Sequence, residues 1–130
     1  MLNEDVYFET TQKIIDSCIT VHKQMGPGLL ESVYECCLID EMGKRNLKCE
    51  SQVKLPVLYK GKQLNKDFFI DILVEDAIIL ELKSIEIVLP VHEVQLLTYL
   101  KLSNKKLGLL INFNVPLLKE GIKRRINGYL

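Results

Sequence analysis

Apolar positions recur near the helical period over residues 5–25. Val6, Ile14, Ile15, Cys18, Ile19 and Val21 form a stripe with His22 beside it. Gly26-Pro27-Gly28 halts that pattern. A second helical pattern covers residues 29–45, with Val33, Cys36, Cys37 and Leu38 turned inward and Gly43 near its end. The period then shortens. Val53, Leu55, Val57 and Tyr59 share one face, while Gln52, Lys54 and Lys60 stand among the residues between, which predicts a half-exposed strand. Lys60-Gly61-Lys62 reads as a turn, residues 67–74 as a second strand, and Glu75-Asp76-Ala77 as the return. Residues 78–83 are apolar enough for the centre of a sheet. Pro90 opens a helix reaching about residue 102, with Val91, Val94, Leu97 and Leu100 as its apolar positions. Residues 106–113 form another apolar strand, broken by Asn114-Val115-Pro116, and a short basic helix closes the chain. The order is therefore ααβββαβα. The helix between the third and fourth strands is a crossover, so the expected fold is α/β with a four-stranded mixed sheet flanked by helices.

Length and composition narrow the class. A chain of 130 residues builds one domain, residues 1–130, with a core of ordinary size. Lysine plus arginine equals aspartate plus glutamate at 17 each, which excludes coating nucleic acid by bulk charge but leaves room for a local basic groove. Met1 to Asp5 carries no basic segment ahead of an apolar one, so no signal peptide is expected, and no run approaches the roughly 18 apolar residues of a membrane span. Cys18, Cys36, Cys37 and Cys49 fit neither a zinc knuckle nor a disulfide framework. Reduced thiols and a cytoplasmic location are expected.

Against this background Asp71, Glu81 and Lys83 are out of place, because they interrupt the most apolar part of the expected sheet. Lone buried charges are expensive, so something must accompany them. Glu81 and Lys83 are two apart and share a face. If the return is the three residues Glu75 to Ala77, Val74 pairs with Ile78 and Asp71 falls opposite Glu81, with Cβ atoms about 5 Å apart. Carboxylates that close repel unless one keeps a proton or a cation lies between them. Mg²⁺ or Mn²⁺ would serve, with Asp71, Glu81 and the carbonyl of Leu82 as oxygen ligands. Lys83 could orient or deprotonate a water, or offset charge on a phosphorane. The competing explanation is a cross-strand ion pair of Asp71 with Lys83 at a solvated sheet end.

Two helical constellations extend the pattern. Glu31, Tyr34 and Glu35 share one helix face, and Glu31 could add a carboxylate to the metal or simply complement the helix N-terminus. Gln95 and Tyr99 are one turn apart; Gln95 could meet a metal water or a phosphate, and Tyr99 a phosphate or base, or the pair could be the polar side of an amphipathic helix. Lys60, Lys62 and Lys66 around the turn could clamp a nucleic-acid backbone or be solvated turn lysines. Lys119, Lys123, Arg124 and Arg125 could contact phosphate or complement a helix C-terminus. His22 is expected to be a satisfied, partly buried histidine, and His92 a helix-start residue. No G-x-x-x-x-G-K-[ST] loop indicates ATP.

Asp71, Glu81 and Lys83 resemble the signature of the PD-(D/E)xK nuclease superfamily, and Gln95-Leu96-Leu97-Thr98-Tyr99 resembles the Q-x-x-x-Y element of its RecB-like branch. Gly28 to Tyr34 is similar to G-x-x-E-x-x-Y, for which the small bacterial GxxExxY proteins are named. Val21-His22-Lys23 and Leu109-Leu110-Ile111-Asn112-Phe113 extend the similarity over about residues 5–126. The resemblance implies a restriction-endonuclease-like core, metal ligands at Asp71 and Glu81 helped by Glu31, a catalytic Lys83 and an assisting Gln95. Tyr99 and Tyr34 are expected to contact substrate. Two departures stand out: Ile70 precedes the aspartate in place of proline, and Phe69-Ile70-Asp71 replaces the Arg-Ala-Asp of many relatives, which removes a phosphate-facing arginine.

The expected function is a divalent-metal-dependent nuclease cutting phosphodiester bonds, in DNA before RNA. The alternatives are a catalytically inactive nuclease-like module that binds nucleic acid or protein, and an interaction protein that forms a homo-oligomer through a sheet edge or its first helix.

Overall fold

The computed structural model describes residues 3–130. Helix α1 (Glu4–Met25) starts where Asn3 Oδ1 accepts the Val6 N–H at 2.9 Å, and ends at Gly26, whose φ of 74° suits glycine. Helix α2 (Glu31–Lys44) follows. Strands β1 (Cys49–Tyr59) and β2 (Lys62–Val74) form a long hairpin, and β3 (Ile78–Lys83) returns along β2. Helix α3 (Pro90–Ser103) carries the chain across to β4 (Leu107–Asn112), which lies parallel to β3 as the crossover requires. His92 Nδ1 accepts the Leu89 N–H at 3.0 Å and so caps the start of α3.

The sheet is mixed and runs β1-β2-β3-β4-β5. It has five strands where four were expected. The segment read as a basic C-terminal helix is a short 3₁₀ turn, Leu118–Gly121, followed by strand β5 (Ile122–Ile126), antiparallel to β4. Ile122 and Ile126 are four residues apart, so their spacing is compatible with a helix. What decides the matter is the otherwise unpaired outer edge of β4, every residue of which is buried. Arg125 of β5 also pairs with Glu93 in the first turn of α3.

Helices cover both faces. On one side α1 and α2 pack Ile14, Cys18, Tyr34 and Leu38 against Ile72, Leu80 and Leu109. On the other, Leu96, Tyr99 and Leu100 of α3 pack against Ile70, Ile79 and Leu110. This three-layer α/β arrangement is consistent with a restriction-endonuclease-like core. His22 Nε2 lies 2.8 Å from the Val115 carbonyl oxygen, and all four cysteines are free thiols. Among the described residues no helix is long and apolar enough to cross a membrane.

Candidate active site

Strand alternation breaks at one place. Ile72 and Val74 of β2 pack on the α1–α2 side, and alternation would send Ile70 the same way. Ile70 instead packs on the α3 side. Opposite it, Cys49 of β1 belongs to the first side and Val53 to the second. The faces exchange at Gln52 and Asp71, which are both missing from the ladder between its pairs Ser51 with Ile72 and Val53 with Ile70; a second irregularity lies nearer the tip, between Pro56 and Leu58. Gln52 takes φ 51°, in the left-handed region that non-glycine residues seldom occupy. The paired distortion releases Asp71 from the pleat at the point where β2 parts from β3.

The β2–β3 ladder pairs Val74 with Ile78 and Ile72 with Leu80, the register that a three-residue return requires. One step further the ladder gives way to bonds between main chain and the two carboxylates. The Leu82 N–H donates to Asp71 Oδ2 at 2.8 Å, and the Asp71 N–H to Glu81 Oε1 at 3.3 Å. Glu81 is only 8 % exposed. Burial, and next the adjacent Asp71 charge, push its carboxyl up from 4.5 to about 8, against the Asp71 N–H hydrogen bond and the Lys83 charge, which act the other way. Neither carboxylate has a lysine or arginine in ion-pair contact among the described residues. The expected competitor, an Asp71–Lys83 ion pair, is therefore not formed.

Asp71, Leu82 and Glu31 line one cavity of about 110 Å³ with Ser32, Glu35 and Gln52. A liquid water occupies roughly 30 Å³, so a cation with a few waters fits. Glu31 reaches this place because α2 begins there, after a loop pinned by Tyr34. The Tyr34 hydroxyl donates to the Gly26 carbonyl at 2.6 Å and accepts the Leu29 N–H at 3.1 Å, and its ring stacks on Phe113 with centroids 4.2 Å apart. Tyr34 is fully buried, so it shapes the loop and is not placed to touch a substrate, as had been expected of it.

Lys83 continues the Glu81 face, is half-buried, and pairs with Asn112 in the β3–β4 register. Gln95 Nε2 donates to the Tyr99 hydroxyl at 3.3 Å. Tyr99 packs against Phe68 and feels both carboxylates: burial first, then Glu81 and Asp71, raise its phenol pKa. Two further residues take part that alternation alone did not mark. Gln52 Nε2 donates to Glu35 at 2.9 Å and to Asp71 at 3.4 Å. Buried Asn112 clamps the chain just past Lys83: its Oδ1 accepts the Ile85 N–H at 3.1 Å and its Nδ2 donates to the Ile85 carbonyl at 2.8 Å. The signal available for Asn112 was a polar residue ending an apolar strand.

A family model of the PD-(D/E)XK nuclease superfamily matches residues 8–125, nearly the whole chain. The chain belongs to the PD-(D/E)XK nuclease superfamily. Neither curated proteins nor solved structures return a match. Nucleases of the PD-(D/E)XK superfamily generally use divalent metals such as Mg²⁺. The donors here suit such an ion, being hard oxygens in a pair, Glu81 buried and Asp71 half-buried, that otherwise relieves its repulsion by keeping a proton. Among the described residues no three His, Cys, Asp or Glu side chains converge on one point. Asp71 and Glu81 are the gathered part of the set; Glu31 shares the cavity with Asp71 and Leu82, whose lining does not include Glu81.

Proposed function

We propose that this PD-(D/E)XK chain is a cytoplasmic nuclease that hydrolyses phosphodiester bonds in DNA with Mg²⁺ or Mn²⁺, and that it belongs to the RecB-like branch and its GxxExxY group. The observation that carries the proposal is the Asp71–Glu81 pair: Glu81 accepts the Asp71 N–H, Asp71 accepts the Leu82 N–H, Glu81 is buried, and among the described residues neither carboxylate has a lysine or arginine in ion-pair contact. The one-turn contact of Gln95 with Tyr99 and the Gly28–Tyr34 loop support the finer placement.

Asp71 and Glu81 would hold the ion, with the Leu82 carbonyl and Glu31 as further oxygen donors. When bound, the ion supplies Lewis-acid polarisation of the phosphate and a more acidic water. Lys83 would set its ammonium beside the attacking water and the phosphate, offsetting negative charge as the water oxygen bonds to phosphorus and the ester P–O bond breaks, with the water's proton passing to bulk water and the leaving oxygen taking up a proton from it. Gln95 orients a water or phosphate oxygen through an amide steadied by Tyr99. Tyr99 is buried against Phe68 and acts on the substrate through Gln95, the exposed member of the pair. Burial of Glu81 strengthens each of these interactions by lowering the local dielectric.

The test is hydrolysis of single- and double-stranded DNA with Mg²⁺ and with EDTA. Asp71→Asn, Glu81→Gln and Lys83→Ala should each lower the rate at least about a hundredfold while keeping the melting transition. A full rate in any one removes that residue from the proposal. Phe69, standing where relatives carry a phosphate-facing arginine, favours a second reading: an inactive module that binds nucleic acid without cutting it.

A further inference from the structure

The β1–β2 hairpin is longer than the sheet needs. β2 pairs with β3 only from Ile72 to Val74, so from Ile70 back to Lys62 its one neighbour is β1. Val53, Leu55, Phe68 and Ile70 of this hairpin still pack on the α3 side, but every residue from Leu58 to Lys66 is exposed. The ladder shifts register between Pro56 and Leu58, leaving residues 64–66 unpaired, but the turn itself is regular. Tyr59 pairs with Lys62, and Lys60 and Gly61 take φ 51° and 77°, the two positive angles of a two-residue hairpin turn matched to strand twist. The arm thus projects from the position where Asp71 leaves the pleat.

Its charge differs from that of the molecule. Between Lys54 and Phe69 four lysines face one aspartate, leaving the arm at +3, so the remainder of this formally neutral chain carries −3. The aspartate, Asp67, is 3.4 Å from Lys54. Among the described residues Lys60, Lys62 and Lys66 have no carboxylate in ion-pair reach. Tyr59 is 60 % exposed at the tip, with the Lys60 ammonium 5.5 Å from its ring centroid. Segregated cationic charge with an exposed aromatic suits a polyanion that also offers flat rings. Pairing of two such arms edge to edge would bring like charges together, a known block to strand addition.

We infer that the tip of this hairpin, through Lys60, Lys62, Lys66 and Tyr59, is the arm that grips the phosphodiester backbone of the nucleic acid presented to Asp71 and Glu81, and that Tyr59 stacks on an unpaired base. This rests on the nuclease proposal for its substrate class. The arm binds the strand without metal, and it favours single-stranded or frayed ends over intact duplex.

The test is fluorescence anisotropy with short labelled single-stranded and duplex oligonucleotides in EDTA, over a range of salt. The triple variant Lys60→Gln, Lys62→Gln, Lys66→Gln should bind at least about tenfold more weakly at low salt, and its plot of log affinity against log salt should be shallower by about 2 to 3, the loss of three phosphate contacts. Tyr59→Ala should weaken single-strand binding about tenfold and leave duplex binding nearly unchanged. Wild-type affinity and salt slope in the triple variant would overturn the inference. So would failure of the wild type to bind either oligonucleotide while it binds Mn²⁺ normally, an outcome that leaves the metal site standing. Concentration-dependent dimers abolished by Leu58→Lys would assign the arm to contact between copies and also overturn it. Loss of the metal site alone, with arm-dependent oligonucleotide binding intact, would defeat the nuclease proposal and not this one.

Discussion

Glu81 is the residue on which stability and function pull apart. Its carboxyl is raised from 4.5 to about 8 by burial and by Asp71. Between those values the folded chain keeps a proton that the unfolded chain has released. The folded state then binds more protons, so stability falls as pH rises across that window, by up to about 1.4 kcal/mol per pH unit, and levels off above it. Glu81→Gln should flatten this slope and be the more stable protein at pH 8, although it is the less active one. Urea melts at several pH values from 5 to 8 check this, and parallel pH dependences for the two proteins would contradict it. The β2–β3 register was legible in the sequence because a three-residue return fixes it, but the ladder ends at Ile72 and Leu80, and the period of two fails at Asp71, which meets Glu81 through hydrogen bonds instead of as a ladder pair. Gln52 was not, because its role comes from a distortion shared by two strands, which alternation within one strand cannot reveal. Tyr34 lies on the same helix face as Glu31 by spacing. Only the packing of Phe113 against it shows that one is buried while the other lines the cavity.

At the scale of elements, helices α1 to α3 and strands β1 to β4 follow from periodicity and from their glycine and proline stops, whereas β5 does not. Ile122-Lys123-Arg124-Arg125-Ile126 has too few apolar residues to distinguish a basic helix from a polar edge strand, and the choice belongs to β4. Gly121, at the joint, is what lets the strand approach. A Cβ there would lie 2.2 Å from the Asn112 carbonyl oxygen and 3.0 Å from Val115 Cγ2. Gly121→Ala should therefore destabilise by about 1–3 kcal/mol, the range for overpacking a tight site. It should also slow hydrolysis, because Asn112 holds the chain that leaves Lys83. Gly43 is the counterpart: it lies in helix α2 with nothing within 4 Å of a Cβ. Gly43→Ala should stabilise by about 0.5–1 kcal/mol from helix propensity alone. Thermal melts of the two variants test both, and equal shifts of the same sign would contradict the account.

For the whole molecule, the two apolar clusters lie on opposite faces of one sheet and share β2, β3 and β4. Neither can lose its packing without exposing strands that the other needs. Unfolding should be a single cooperative transition, as in most small domains. The chain has no tryptophan, so the probes are far-UV circular dichroism and tyrosine fluorescence, the latter reporting on buried Tyr34 and Tyr99. Their urea curves should coincide, and separated midpoints would show that the two faces come apart independently. Net charge, zero for the chain, concealed the one large-scale feature that bears on substrate, the +3 hairpin arm, because a sum over all residues erases segregation between parts.

The most direct test is calorimetric titration of Mn²⁺ into the wild type and Asp71→Asn, alone and with a short oligonucleotide that can supply phosphate oxygens. A metal site built on Asp71 and Glu81 predicts saturable binding by the wild type that the substitution abolishes under both conditions. Absence of binding by the wild type even with the oligonucleotide, or equal binding by the two proteins, would contradict it.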